Sequence, residues 1–208
     1  MTHPDRQSTR DRLEQARQTF REHGGILRMS EAIRAGIHRR ILYAMRDTGI
    51  VQVLSRGLYR LAELPPLGNP DLVTVTRRAP GGVICLVSAL AYHELTTQIP
   101  HEVYLALPRG AEPPRIDHPP TRVFWFQGAA FSEGVGRYPV DGVSVPIYSP
   151  EKTLADCFKY RNKIGLDVAV EALRLYRERK SVRADELLRF ARVCRVEQVM
   201  RPYLEALL

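Results

Sequence analysis

Long polar side chains recur at helical spacing in the first quarter of the chain. Arg39, Tyr43 and Arg46 stand at positions i, i+4 and i+7, which places them on one face of a helix. Arg40 flanks this face, and His38 stands at its beginning. The arginine fork matches guanine edges and phosphate oxygens, and tyrosine reaches phosphates or thymine methyl groups. The chemistry of this face is therefore that of nucleic-acid recognition.

The distribution of charge supports this interpretation. The 208 residues include 31 Lys and Arg against 23 Asp and Glu, a formal net charge of +8. Residues 1–62 hold 12 arginines, no lysine and 6 acids, whereas residues 63–208 hold 19 basic and 17 acidic residues. Such a concentration of guanidinium groups favours a polyanionic partner, above all double-stranded DNA. A basic module that binds an acidic protein or an RNA is the alternative, because fold and charge alone do not decide between these partners.

Three helical patterns and a hairpin must position this face. Residues 8–23, 30–35 and 38–48 have helical apolar spacing, and two short apolar runs at 50–54 and 58–61 flank a tight turn. Ala32 and Gly36 have the spacing of a helix-turn-helix, in which a small residue permits close helix crossing and glycine adopts a left-handed conformation. Glu31 departs from that pattern, since its position is usually apolar. The order predicts a winged helix-turn-helix domain over residues 1–62.

Other arginines outside the helical face are candidates for contacts with the duplex. Arg56 lies at the predicted hairpin tip, and Arg60 is expected to alternate outward on the second strand, so both are placed for the DNA backbone or minor groove. Arg28, just before the short helix, suits a phosphate clamp. Tyr59 shares a strand face with Leu61 and is expected in the core. The predicted DNA-binding residues are Arg28, His38, Arg39, Arg40, Tyr43, Arg46, Arg56 and Arg60.

The remainder of the chain predicts a second domain. A Pro-rich segment at 63–70 is interpreted as a linker, and residues 71–208 as a mixed α+β domain. Strands are expected at 83–87, 102–107 and 122–126, with Ser88 capping the helix that follows the first of them. Asp141-Gly142 predicts a hairpin turn and Ser149-Pro150 a helix start. Further helices are expected at about 166–179, 184–194 and 196–207. The predicted class is thus α+β, a winged helix-turn-helix followed by a mixed domain that ends in a helical bundle-like segment.

Acidic residues in this second part admit a metal-dependent nuclease as a further alternative. Such a site needs acid and lysine at neighbouring strand positions, whereas Glu151-Lys152 opens a helix on which Asp156 pairs with Lys152. His93 and His101 lack metal-ligand spacing, and the three separated cysteines do not suggest a disulfide framework. No catalytic residue, cofactor or metal is therefore predicted. The acids considered, with Lys152, are Glu102, Asp117, Asp141, Glu151 and Asp156.

Membrane association is not expected from the sequence. No apolar run reaches the roughly 18 residues of a spanning helix, and the N-terminal residues lack the apolar stretch of a secretory signal. A cytoplasmic location is the resulting expectation.

Several short motifs occur in a fixed order along the chain. They are Ala32-x-x-x-Gly36-Ile37, Leu42, Gly49, Val53-x-x-Arg56-Gly57-x-Tyr59, Cys85-x-x-Ser88-Ala89-Leu90 with His93 and Leu95, and Ser149-Pro150-Glu151-Lys152-Thr153-Leu154-x-Asp156-Cys157. In this order the motifs resemble those of the AbiEi-type antitoxins, transcriptional regulators encoded with a nucleotidyltransferase-like toxin in bacterial type IV toxin–antitoxin systems. The resemblance implies that the winged helix binds an operator, an inverted repeat, and represses its own operon. It also implies antitoxic action that uses the second domain.

Overall fold

A computed structural model of the chain describes residues 4–179 and 182–207. The N-terminal part contains three helices and a small antiparallel sheet with the strand order β1-β3-β2. The predicted helices and hairpin are present. Strand β1 was not predicted, because three residues carry too little pattern to be read as a strand. The elements are α1 (Pro4–Glu22), β1 (Ile26–Arg28), α2 (Met29–Arg34), α3 (Arg39–Asp47), β2 (Val51–Ser55) and β3 (Leu58–Leu61).

The turn between α2 and α3 follows from its small residues. Ala32 is fully buried, which lets α3 approach α2 closely. Gly36 has φ +89, a left-handed conformation that side-chain-bearing residues rarely adopt. His38 then caps α3, since its Nδ1 accepts a hydrogen bond of 3.2 Å from the backbone N–H of Arg40. These contacts fix the direction in which α3 leaves the turn.

Gly36→Ala is expected to lower the free energy of unfolding by about 1–2 kcal/mol, the cost of a left-handed conformation with a Cβ atom. Space is not the cause, because no atom lies within 4 Å of the added Cβ. Gly81→Ala is the matched control: its Cβ also meets open space, but the backbone has no positive φ. Chemical denaturation of both variants measures the difference. Equal stability of the two variants would contradict the role assigned to the Gly36 backbone.

The second part is built on a mixed five-stranded sheet with the order β6-β5-β4-β8-β7. Strand β4 pairs antiparallel with β5 and parallel with β8. The predicted α+β class is confirmed. The first elements are α4 (Pro70–Arg78), β4 (Val83–Ile84), α5 (Leu86–Tyr92), β5 (Val103–Pro108), β6 (Thr121–Phe126), α6 (Ala129–Ser132), β7 (Val135–Val140) and β8 (Val143–Tyr148). The helical end consists of α7 (Pro150–Lys159), α8 (Arg161–Ile164), α9 (Leu166–Arg177), α10 (Ala184–Val193) and α11 (Glu197–Leu207).

Each face of this sheet buries a separate cluster. Side chains alternate along a strand, so Leu105 of β5 packs on the α4 side while Ala106 packs on the side of α5 and α7. The helices α7, α9, α10 and α11 complete the larger cluster. The Asp141-Gly142 turn joins β7 and β8 as the sequence predicts.

Two features of this part correct the sequence interpretation. The run at 83–87 is not one strand, because β4 ends at Ile84 and Leu86 already begins α5. Ser88 therefore lies inside the helix and does not cap it; its hydroxyl accepts a hydrogen bond of 2.9 Å from the backbone N–H of Tyr104 on β5. Helix α4 was not predicted at all, although Asn69-Pro70 is a recognisable start signal.

Three charged residues of α7, Glu151, Lys152 and Asp156, are buried in the interior of the second part. Ser149 caps the helix as predicted, accepting from the N–H of Lys152. Lys152 Nζ lies 2.5 Å from Asp156 Oδ2, and neither side chain has exposed surface. Glu151 accepts from the Tyr176 hydroxyl and from Arg183, each at 2.8 Å. These groups are engaged with one another inside the fold, where a nuclease site would need them to face a substrate.

The two parts of the chain pack directly against each other. Ile26 of β1 and Leu58 of β3 belong to the same buried cluster as the apolar face of α4. The Asp141 carboxylate accepts from the backbone N–H groups of Gly68 and Asn69, at 2.9 and 2.8 Å. The Pro-rich segment is thereby tied to the second part. The division into domains 1–62 and 71–208 with a linker at 63–70 stays a prediction, and residues 1–3, 180–181 and 208 of those ranges lie outside the described chain.

Candidate nucleic-acid interface

Helix α3 presents a basic and aromatic face to solvent. Leu42 and Met45 on its inner side are fully buried in the cluster formed with α1 and the small sheet. The side chains of Arg39, Arg40, Tyr43 and Arg46, which the sequence predicts on the outer side, are all exposed. The structure thus brings the four residues together on one surface, with His38 at its N-terminal end.

The arginines of this surface differ in their surroundings. Neither Arg39 nor Arg40 makes a side-chain hydrogen bond or ion pair within residues 4–179 and 182–207, so both guanidinium groups are available to a partner. Arg46 lies 2.7 Å from the Asp47 carboxylate, and its guanidinium stands 5.0 Å from the centre of the Tyr43 ring. The hydrogen bond to Asp47 raises the pKa of Arg46. Arg39 and Arg40 are therefore the stronger candidates for base or phosphate contacts.

The wing is held in place by a contact with the second part of the chain. Gly57 at its tip has φ +74, as the hairpin turn requires. The carbonyl of Arg56 accepts a hydrogen bond of 2.9 Å from Arg78 of α4, while the Arg56 side chain is exposed. The sequence did not indicate that both Gln52 and Val53 of the edge strand β2 are exposed, one on each face of the strand. Alternation on a short ribbon does not indicate which of its faces is covered.

Two of the residues predicted to contact DNA, Arg60 and Arg28, have side chains directed into the protein. Arg60 is only 4% exposed and donates to the carbonyls of Leu64 and Pro65, so the expectation that it alternates outward is wrong. It lies on the central strand, and the segment after β3 folds back over it. Arg28 donates its Nε to the carbonyl of Arg77 and lies between the two parts of the chain. Tyr59 is buried as expected, and burial raises its pKa.

A groove of about 550 Å³ beside α3 adds a residue that the sequence does not reveal. Arg12 of α1 lines it together with His38 and Arg40. The two segments are far apart in sequence, and only the packing of α1 on α3 brings their cations to one surface. No local pattern signals that proximity.

The N-terminal part of the chain, which carries this surface, matches a known protein family. Residues 14–62 match the AbiEi antitoxin family of transcriptional regulators. The matched segment starts within α1 and ends just after β3, so it contains the whole exposed face of α3 and the wing. The match does not reach the second part of the chain, where the motif resemblance to AbiEi regulators stays a prediction.

The fold is also similar to a solved structure over nearly its full length. The RV2827C protein from Mycobacterium tuberculosis, whose crystal structure is known, superposes with a TM-score of 0.54 over 95% of this chain and 81% of that chain. The sequences are 15% identical, so the similarity concerns the fold alone. No curated protein matches the sequence. Among the helices of the described ranges, none combines the length and apolar character needed to cross a membrane.

Proposed function

We propose that the protein is a sequence-specific DNA-binding autorepressor and the antitoxin of a bacterial type IV toxin–antitoxin system. Its functional partner is a nucleotidyltransferase-like toxin encoded beside it. Its DNA partner is its own operator, an inverted repeat. The protein acts without catalysis and without a cofactor.

The observation that carries this proposal is the exposed face of α3 within the segment that matches the AbiEi family. Arg39 and Arg40 extend from this face without a protein partner in the described chain, and Tyr43 stands beside them. A helix with such a face fits the major groove, where arginine recognises guanine through O6 and N7. Arg56 at the wing then contacts the phosphate backbone. Sequence is read by α3, and the wing fixes the register.

Repression and antitoxicity are tested together in one bacterial strain. The strain carries the promoter of the protein's operon fused to a reporter, with the neighbouring toxin gene under inducible control. We expect the wild-type protein to lower reporter output and to restore growth when the toxin is induced. Arg39→Ala/Arg40→Ala is expected to lose repression, because the residues that read the operator are gone.

The two readouts separate the two halves of the proposal. A reporter unaffected by the wild-type protein would contradict autorepression and would favour a protein or RNA partner for the basic face. Growth that does not recover with the wild-type protein would contradict the antitoxin role. The Arg201→Ala variant, which removes an exposed arginine of α11, is the control and should behave like the wild type.

A further inference from the structure

A second basic site lies away from α3, in a cleft between the two parts of the chain. Its volume is about 480 Å³. One wall comes from the segment after α1 together with α2, the other from the end of α4 and the β7–β8 hairpin. Ligand sites are frequently found at such junctions, and the volume lies in the range of small-molecule pockets.

Positive charge in this cleft exceeds what its own acid can neutralise. Four arginines line it, and Glu31 is the single acidic residue among the described lining residues. Glu31 is already engaged, since its Oε2 accepts from Arg77 at 2.6 Å and from the backbone N–H of Arg28 at 2.8 Å. The four arginines are Arg28, Arg34, Arg77 and Arg137.

The arginines are unequally satisfied. Burial lowers the pKa of Arg28, and the neighbouring Arg77, Arg78 and Arg34 cations lower it further, against the opposing effect of Glu31. Arg34 and Arg137 form no ion pair within the described residues. Their exposed guanidinium groups are therefore available to an anion that enters the cleft.

Unpaired polar atoms occur at the same place. The Nε of Arg77 and the hydroxyl of Thr76 are buried and have no hydrogen-bond partner in the described part of the chain. Both residues line the cleft. A buried donor without a partner is destabilising, and this cost adds to the excess positive charge beside the cleft.

We infer that this cleft binds a small phosphate-bearing ligand of mononucleotide size. The arginine forks suit phosphate oxygens, which they can bind in a bidentate manner. Pro80, Val143 and Pro146 provide an apolar wall for the remainder of the ligand. Because the ligand contacts both parts of the chain, it stabilises their relative orientation. Binding does not depend on DNA, so this inference goes beyond the proposed function.

Calorimetric titration of the full chain with adenosine 5′-monophosphate, inorganic phosphate and adenosine tests the inference. We expect saturable 1:1 binding of the monophosphate, weaker binding of phosphate and none of adenosine. Arg34→Gln/Arg137→Gln should weaken binding of the monophosphate at least tenfold. Both side chains are exposed and carry no ion pair in the described ranges, so the double variant should fold normally. Arg174→Gln/Arg201→Gln removes the same charge from α9 and α11 and should leave the affinity unchanged.

Three outcomes would overturn the inference. The first is the absence of saturable binding at millimolar monophosphate and phosphate. The second is an equal loss of affinity in the cleft variant and the α9/α11 control, which would show nonspecific attraction. In the third, small probes do not bind but the cleft variant loses affinity for the operator duplex, so that the arginines serve the DNA backbone. Failure of the proposed function would instead appear as a lack of operator preference, with binding of the monophosphate intact.

Discussion

Arg39→Ala/Arg40→Ala is expected to weaken operator binding by about 2–6 kcal/mol, since each arginine that reads a base contributes about 1–3 kcal/mol. Both side chains are exposed and have no partner in the described chain, so their loss should leave the free energy of unfolding nearly unchanged. Fluorescence anisotropy with a labelled operator duplex at constant salt measures the effect. Thermal melting of the variant confirms that its fold is intact.

A matched variant separates recognition from general charge. Arg174→Ala/Arg201→Ala removes two exposed arginines from α9 and α11, far along the chain from α3. We expect its loss of affinity to be small, because charges beyond a Debye length of about 10 Å are largely screened at moderate salt. If the α3 variant and the α9/α11 variant lost equal affinity for the operator, or if neither lost any, α3 would not be the recognition surface.

Asp156→Ala is expected to lower the free energy of unfolding by about 3–5 kcal/mol, the cost of leaving one partner of a buried ion pair uncompensated. The Lys152 ammonium would remain in an interior where it has no exposed surface. The rings of Tyr148 and Phe126, at 4.1 and 5.0 Å from Nζ, offset only part of that loss. The Cys194 thiol, 3.2 Å from Asp156 Oδ1, would lose its acceptor as well. Denaturant unfolding followed by circular dichroism measures the change in the free energy of unfolding.

The double variant Lys152→Met/Asp156→Leu distinguishes a buried charge from a simple cavity. A buried ion pair replaced by apolar groups of similar volume is often neutral or stabilising. We therefore expect this variant to recover most of the stability that Asp156→Ala loses. If Asp156→Ala lowered the free energy of unfolding by less than about 1 kcal/mol, the buried Lys152 ammonium would not depend on Asp156 for neutralisation. That result would contradict the role assigned to the pair in α7.

The elements with strong local signals could be predicted from the sequence. Helix α3 begins at a capping residue, its apolar side chains recur with helical spacing, and Gly49 follows its end. The Asp141-Gly142 turn and the Ser149 cap of α7 are local for the same reason. The apolar positions of α3 predict its buried side and therefore also its exposed side. The sequence thus placed four residues correctly on the surface of α3: Arg39, Arg40, Tyr43 and Arg46.

The residues that were missed or misplaced depend on contacts distant in sequence. Arg60 is buried because residues 64 and 65 fold back over a central strand, which strand alternation does not reveal. Arg28 is directed to α4, a helix that the sequence analysis did not place. Glu31 occupies a position that is usually apolar in a helix-turn-helix. Its carboxylate pairs with Arg77 of α4, so this residue too is explained by the packing of the two parts of the chain. Sequence patterns describe single elements, whereas these side chains are determined by how the two parts pack.

Sequence-specific DNA binding is tested most directly by titrating the wild-type protein against the duplex upstream of its own gene. A scrambled duplex of equal length serves as competitor, and the titration is repeated at several salt concentrations. We expect a preference of about 10³ or more for the upstream duplex, as specific regulators show. We also expect a slope of log K against log salt of roughly −5, from about five or six phosphate contacts. Equal binding to both duplexes would contradict a sequence-specific repressor.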